Sequence, residues 1–291
     1  MSNRNFDLKK LQRTQIEIFK EVDRICKKYD IQYFGTWGTT LGAIRHGGFI
    51  PWDDDIDISM KWKEFKKFEE ACKVELDEKY FLQNTESDKY YWQPYSKIRL
   101  NNTTSMDMDL THMKCHYGIC IDIFPINPIP NSKILRIKQS TLINIYKLLC
   151  YIPYILYTNP NDKTYKGKII RVIPKTIISF LKKFLIGNKK LNKLRNSITE
   201  SINKYDIDKC DYCGETMVGP SNIGVYKNEI FKEAIEVNFE DVKMPIPKEY
   251  HQYLKLVYGE YMELPKEEDR IGHGDTIVDF ENSYEKYQTE I

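Results

Sequence analysis

Residues 47–58 read GGFIPWDDDIDI, which places four aspartates within five positions and alternates two of them with isoleucines. That alternation constrains the fold more than any other stretch of the chain. Successive side chains of a strand point to opposite faces, so Asp55 and Asp57 share one face while Ile56 and Ile58 share the other. The isoleucines can enter a core only if the two carboxylates stand together on the far side. Carboxylates a few ångströms apart repel unless one is protonated or a cation lies between them, and hard oxygen donors of this kind suit Mg²⁺ or Mn²⁺. Asp53 shares their face if the strand starts early, and Asp54 points the other way. The plainer alternative is an exposed acidic turn.

Two further signals point toward the same chemistry. Gly38 and Thr39 fall where the strand of IQYFGTWG turns into the helix of TTLGAIRH, and free amides at a helix start favour a phosphate. This Gly-Thr turn precedes the aspartate strand by sixteen residues. Asp122, flanked by Ile121 and Ile123 in CIDIFPI, is an acid in an apolar strand and has to be paired or metal-bound. Lys97 and Arg99 are two apart in YSKIRL and so face one way, as phosphate contacts would; ordinary edge-strand charges would look the same.

The rest of the pattern predicts an α/β (α+β) chain, a mixed sheet flanked by helices. Asp7 N-caps an amphipathic helix running to Tyr29, a second helix covers 62–79, strands cover YSKIRL and 117–126, and a helix covers KEYHQYLKLVYGEYM. Between Lys163 and Arg195 there are eleven Lys or Arg and no Asp or Glu, with apolar residues at helical spacing. The expected organisation is one catalytic unit from 1–130 and 206–280, a basic helical insertion at 131–205, and a loose tail at 281–291.

Composition excludes some classes. Lys plus Arg is 44 against 42 Asp plus Glu, which argues against a nucleic-acid binder. Seven Cys without dense spacing and an N-terminus with no apolar signal segment predict a reducing, cytoplasmic setting. The most apolar run, LLCYIPYILY, is ten residues, short of the ~20 that span a bilayer.

GTTLGAIRHGGFIPWDDDIDI, followed by KIRLNNTT, IDIFPI and MPIPKEYHQYLKLVYGEYMELP, resembles the LicD family of phosphocholine transferases, relatives of the fukutin-type enzymes. The resemblance covers roughly 8–130 and 215–275 and leaves out the basic insertion. It implies a nucleotidyltransferase-like fold in which Gly38 and Thr39 hold phosphate and Asp55, Asp57 and Asp122 hold metal and carry catalysis. Lys97 and Arg99 would neutralise phosphates, Arg45 or His46 would do the same or simply pack, and Asp122 would also accept a proton. Asn127 stands where relatives often carry Asp. The implied reaction moves a phospho-alcohol, most often phosphocholine, from CDP-choline or a similar CDP-alcohol to a hydroxyl of a surface glycan or its lipid-linked precursor, such as lipopolysaccharide, teichoic acid or capsule. The alternatives are a nucleotidyltransferase that makes the CDP-activated donor and a non-catalytic glycan- or membrane-binding relative.

Other residues invite roles of their own. Cys210 and Cys213 form a C-x-x-C, and Cys115 and Cys120 lie near His112 and His116, so a structural Zn²⁺ is conceivable beside the simpler reading of packed thiols. The basic stretch 163–195 fits peripheral contact with anionic lipid on the inner face of the membrane, or a solvated basic face. Arg270 and His273 could reach the site. Trp37, Trp52 and Trp92 are candidates for an aromatic box around a quaternary ammonium.

Overall fold

The apolar spacing after Asp7 folds as α1 (Leu8–Lys28), whose first turn is capped by the Asp7 carboxylate accepting the Lys10 amide at 3.0 Å. Phe19, Val22 and Ile25 are its buried stripe. The computed structural model describes residues 6–111, 113–157, 172–185, 189–218, 224–270, 272 and 276–288. After β1 (Phe34–Gly35), α2 (Trp37–His46) ends where Gly47 adopts φ 70°, the left-handed cap that glycine accepts without a Cβ clash. Then come β2 (Asp57–Lys61), α3 (Trp62–Glu75), β3 (Tyr80–Gln83), β4 (Ser96–Leu100), β5 (Thr104–Asp107) and β6 (Cys120–Ile129).

The main sheet is mixed, with strand order β1-β2-β6-β4-β3. Only β2 and β6 run parallel. On the α1 and α3 side, Ile56, Ile58, Ile98, Ile121 and Ile123 are fully buried against Phe19 and Phe68. β6 is long for a central strand that contains two prolines, Pro125 and Pro128, and the pairing explains why it tolerates the first. β4 bonds β6 up to Ile123, and β7 (Tyr212–Gly214) takes over at Asn127, so Pro125 falls in the gap where no neighbour on that edge asks for an N–H.

Beyond β6 the chain enters α4 (Lys133–Tyr157), α5 (Lys175–Leu185) and α6 (Lys189–Ile202). Ile143, Tyr146 and Cys150 of α4 pack on Ile198 and Ile202 of α6 and on Met217. Gln139 ties this unit to the sheet by donating to the carbonyls of Pro128 and Ile202, at 2.7 and 2.8 Å. β8 (Val225–Lys227) extends the sheet from β7, β9 (Ala234–Phe239) and β10 (Val242–Pro247) form a hairpin, and α7 (Tyr250–Tyr258) follows.

The structure departs from the sequence expectations at three boundaries. The helix expected over 62–79 stops at Glu75 because β3 begins at Tyr80, and the helix expected over KEYHQYLKLVYGEYM stops at Tyr258, where Gly259 turns with φ 66°. Residues 281–288, expected to be loose, are tied down. β11 (Thr276–Asp279) pairs antiparallel with β5, Tyr287 donates its hydroxyl to Asp279 at 2.5 Å, and Gln288 donates to the carbonyls of Met113 and Cys115. Residues 289–291 lie outside the described residues.

Candidate active site

The register of the sheet builds a polar row across four strands. Asp57 of β2 is level with Asp122 of β6, Asp122 with Lys97 of β4, and Lys97 with Gln83 of β3. Residues level with each other project to the same face, so one charge-bearing line crosses a sheet whose opposite face is isoleucine. Lys97 donates to both carboxylate oxygens of Asp122, at 2.6 and 2.8 Å. Burial lowers the Lys97 ammonium's proton affinity, but the Asp122 carboxylate, together with Cys120 and Tyr91, offsets this and the net shift is upward.

Asp55 precedes β2 in the approach to the strand rather than inside it. Two glutamines of α1 hold this approach: Gln12 donates to the carbonyl of Asp53 at 2.9 Å, and Gln15 to that of Asp54 at 2.7 Å and of Cys120 at 3.2 Å. Asp53, Asp55, Asp57 and Asp122 all line a cavity of about 600 Å³, together with Trp37, Gly38 and Glu215. Asp54 lines a second cavity beyond Asp55 and Asp122. Removal from water, reinforced by the charges of Asp55, Asp122 and Asp53, pushes the Asp57 carboxyl well above the usual carboxylate range, against a smaller downward pull from Lys97. A site with these properties attracts a cation.

The start of α2 faces the acids. Gly38 lines the cavity, and a Cβ added there would lie 2.5 Å from Asp53 Oδ2, so a glycine lets the carboxylate seat against the helix start. Trp37 before it holds φ 50°, a left-handed conformation that costs about 1–2 kcal/mol for a non-glycine residue, and its amide donates to the Tyr253 hydroxyl at 2.9 Å. Thr39 is buried; its hydroxyl accepts the Asp57 amide at 2.8 Å, so it positions the strand instead of lining the cavity.

Several expected phosphate contacts are engaged elsewhere. Arg99 is 5 % exposed and spends Nε on Gln83 Oε1 at 2.5 Å and Nη1 on the Gly118 carbonyl at 2.7 Å. It braces β4 against β3 and the loop before β6, and it borders the second cavity, not the first. Arg45 donates to the carbonyls of Tyr261 and Glu263 and to His46 Nε2, which pins the segment after α7. Exposed His46 lies edge-on to Trp52, with ring centres 6.3 Å apart, and the Arg270 guanidinium stands 5.5 Å from the Trp52 ring centre. Arg45 and His46 do not line the cavity; Arg270 reaches its edge through Trp52.

Among the described residues no three His, Cys, Asp or Glu side chains stand as a ready ligand set for a metal ion. For the acids the reason is visible: Asp122, expected as a third ligand, gives both oxygens to Lys97. Asp55 and Asp57 line one cavity and offer two carboxylates of the kind that suits a hard divalent cation. The cysteines offer no zinc site there. Cys213 is fully buried and its thiol is pushed up to about 12 by that burial, Cys210 donates to the Asp206 carbonyl, and His116 is fixed by Asn101 and the Gly118 amide. His112 and His273 lie outside the described residues, as do 163–171 and 186–188 of the basic stretch. Its described part shows exposed Ile177 and Phe180 on α5. No helix among the described residues is long and apolar enough to cross a membrane.

The residue that sequence reasoning missed is Glu215. It is 2 % exposed, lines the acid cavity, and accepts hydrogen bonds from Ser59 at 2.5 Å and Tyr226 at 3.3 Å. Burial lifts its carboxyl to about 7, against the downward pull of those bonds. No strand alternation marks it, since it follows the three-residue strand β7. Gln12 and Gln15 were equally hidden, because in sequence they read as the polar side of α1.

Residues 30–136 match the family model described as LicD/FKTN/FKRP, nucleotidyltransferase domain. The chain carries a LicD-family domain. The matched stretch includes β1, α2, β2, β4 and β6, hence Gly38, all four aspartates of the first motif, Lys97 and Asp122. The chain is also 29 % identical over 273 residues to the lipopolysaccharide cholinephosphotransferase LicD of Haemophilus influenzae, covering 91 % of this chain and 95 % of that protein. Shorter matches join it to uncharacterized proteins of Rickettsia typhi, 37 % over 54 residues (19 % of this chain, 18 % of that protein), and Rickettsia prowazekii, 43 % over 44 residues (15 % and 16 %). The long match extends past the LicD domain into the helices after β6 and the C-terminal strands.

Proposed function

We propose that this chain is a metal-dependent transferase that moves phosphocholine from CDP-choline to a hydroxyl of a surface glycan or its lipid-linked precursor, with lipopolysaccharide the first acceptor class to test. The observation that carries the reading is the convergence of Asp53, Asp55, Asp57 and Asp122 on one cavity at the start of α2. The 29 % identity along nearly the whole length of the Haemophilus cholinephosphotransferase supports the substrate class. A binding module has no need for half-buried acids that repel one another.

In this reading the Gly38 amide at the start of α2 receives the diphosphate, which the partial positive charge of the helix start favours. Mg²⁺ or Mn²⁺ held by Asp55 and Asp57 would supply the neutralisation that phosphoryl transfer depends on. The acceptor oxygen bonds to the β-phosphorus, the bond from that phosphorus to the bridging oxygen breaks, and CMP leaves with the electron pair. Asp122 takes the hydroxyl proton. Lys97 holds the Asp122 carboxylate in place for it. The basic helices between Lys163 and Arg195 would rest on anionic lipid where the acceptor is lipid-linked.

The test is direct. Purified protein with CDP-choline and Mg²⁺ should release CMP, faster with a glycan acceptor, and EDTA should stop it. Pyrophosphate release from CTP and phosphocholine instead would assign the chain to donor synthesis, and no turnover of either would overturn the enzyme reading.

A further inference from the structure

α4 is apolar on two sides. Gln139, Ile143, Tyr146 and Cys150, at steps of four and three, are its buried face and pack toward α6 and the end of β6. On the opposite side Ile134, Ile137, Ile145 and Leu148 recur at the same helical spacing, with Thr141 between them, and are 67, 67, 43 and 58 % exposed. The outer stripe runs about 21 Å at 1.5 Å per residue. A surface helix ordinarily turns polar side chains outward, and a contiguous aliphatic face of this length marks a contact.

The charge around the stripe says what it meets. Between Lys133 and Thr199 the chain holds fifteen Lys or Arg and one acid, Asp162, a net charge of +14 in a protein whose total is +2. The remainder of the molecule, which includes the acid cavity, is net −12. α4 itself has no Asp or Glu, its Lys133 and Lys138 are exposed at the start of the stripe, and α5, which packs against α4, leaves Lys175, Ile177 and Phe180 exposed. An apolar stripe within a basic region fits an anionic lipid surface, where aliphatic side chains enter the headgroup boundary and cations meet phosphate. A second copy of the chain fits poorly, because a twofold contact would press like charges together. Nucleic acid, bound through its phosphates, offers nothing to four aliphatic side chains. α4 is not apolar enough to cross a bilayer, so it would lie along the surface.

We infer that α4 docks on an anionic membrane through Ile134, Ile137, Ile145 and Leu148, with the cations of α4 and α5 around that stripe. This goes beyond a contact made by the basic stretch alone, and only its purpose rests on the transferase reading. α4 follows β6, the strand that carries Asp122, and Gln139 fastens it to the end of that strand. A docked α4 would hold the acid cavity at a fixed height above the bilayer, within reach of a lipid-linked acceptor.

The test uses the full chain and vesicles of phosphatidylcholine with and without phosphatidylglycerol, with binding followed by co-sedimentation and no turnover required. The chain should bind the anionic vesicles and come off them as salt rises. Ile137→Ser together with Leu148→Ser, which leaves the charge unchanged, should weaken that binding about tenfold. Thermal stability and CMP release with a soluble acceptor should match the wild type, because neither side chain is buried in the core. Vesicle binding that the double variant leaves intact would overturn the inference by giving the contact to charge alone. Absence of vesicle binding would also overturn it, and binding to polyglutamate in its place would give the face to an acidic protein. Vesicle binding that the double variant loses, without CMP release from the wild type, would keep the surface and reject the transferase reading, whereas CMP release without vesicle binding would do the reverse.

Discussion

Asp122 and Asn127 sit five residues apart on β6, both polar in an apolar strand, yet they do different work. Asp122 lies where β6 is flanked by β2 and β4; its charge is met by Lys97, and its carboxylate opens onto both cavities. Asn127 lies where β7 has replaced β4. It is fully buried, its amide donates to Asn203 Oδ1 at 2.7 Å, and its carbonyl accepts from Thr216 at 3.4 Å. A neutral side chain can spend all its hydrogen bonds on the fold. A carboxylate in the same strand, though paired with Lys97, still borders two cavities from which a ligand can reach it.

The contrast can be broken by experiment, first at the acid end. Asp57→Asn should lower CMP release by about 10³-fold, or ~4 kcal/mol of barrier, while thermal stability holds or rises because a repelling charge has gone. Retained metal-dependent turnover would remove Asp57 from the site. Lys97→Met should cost about 1–3 kcal/mol in chemical denaturation, because it strands Asp122 in a half-buried row beside Asp57. A loss under 1 kcal/mol would mean that solvent already screens the pair.

Glu215 tests the middle ground, since it follows β7 and yet lines the acid cavity. Its folded carboxyl is raised from 4.5 to about 7, so between those values the folded protein binds more protons than the unfolded chain, and the residue's contribution to stability declines as pH rises through that window. Glu215→Gln should therefore gain on the wild type from pH 4.5 to 7 by about 3 kcal/mol at most. Parallel stability curves would show that Glu215 is ionised in the fold. The smallest effect belongs to the other end of β6. Asn127→Ala should cost about 2 kcal/mol of stability and leave CMP release within about twofold, and a large loss of activity there would erase the distinction between the two ends.

Much of the acid-bearing face was legible because strand alternation is a local property. Ile56 and Ile58 could be assigned to a core, and Asp57 to the opposite face, from spacing alone. The reading of Lys97 and Arg99 as two equivalent phosphate contacts fails for a nonlocal reason. Both face the same way, but Lys97 is level with Asp122, whereas Arg99 is two pairs further along, level with Cys120 and within reach of Gln83 and Gly118. The tail after residue 280 was misjudged similarly: its composition is polar, and only pairing with β5 explains why β11 orders it.

By itself the sequence determined which residues alternate, where helices are capped and stopped, and that acids and apolar residues must separate across a sheet, because these follow from backbone geometry within a few residues. Tertiary structure decided which charges meet. Strand order and register, set by contacts between segments as far as 156 residues apart, put Asp122 between Asp57 and Lys97 and brought Glu215 under the acid cavity.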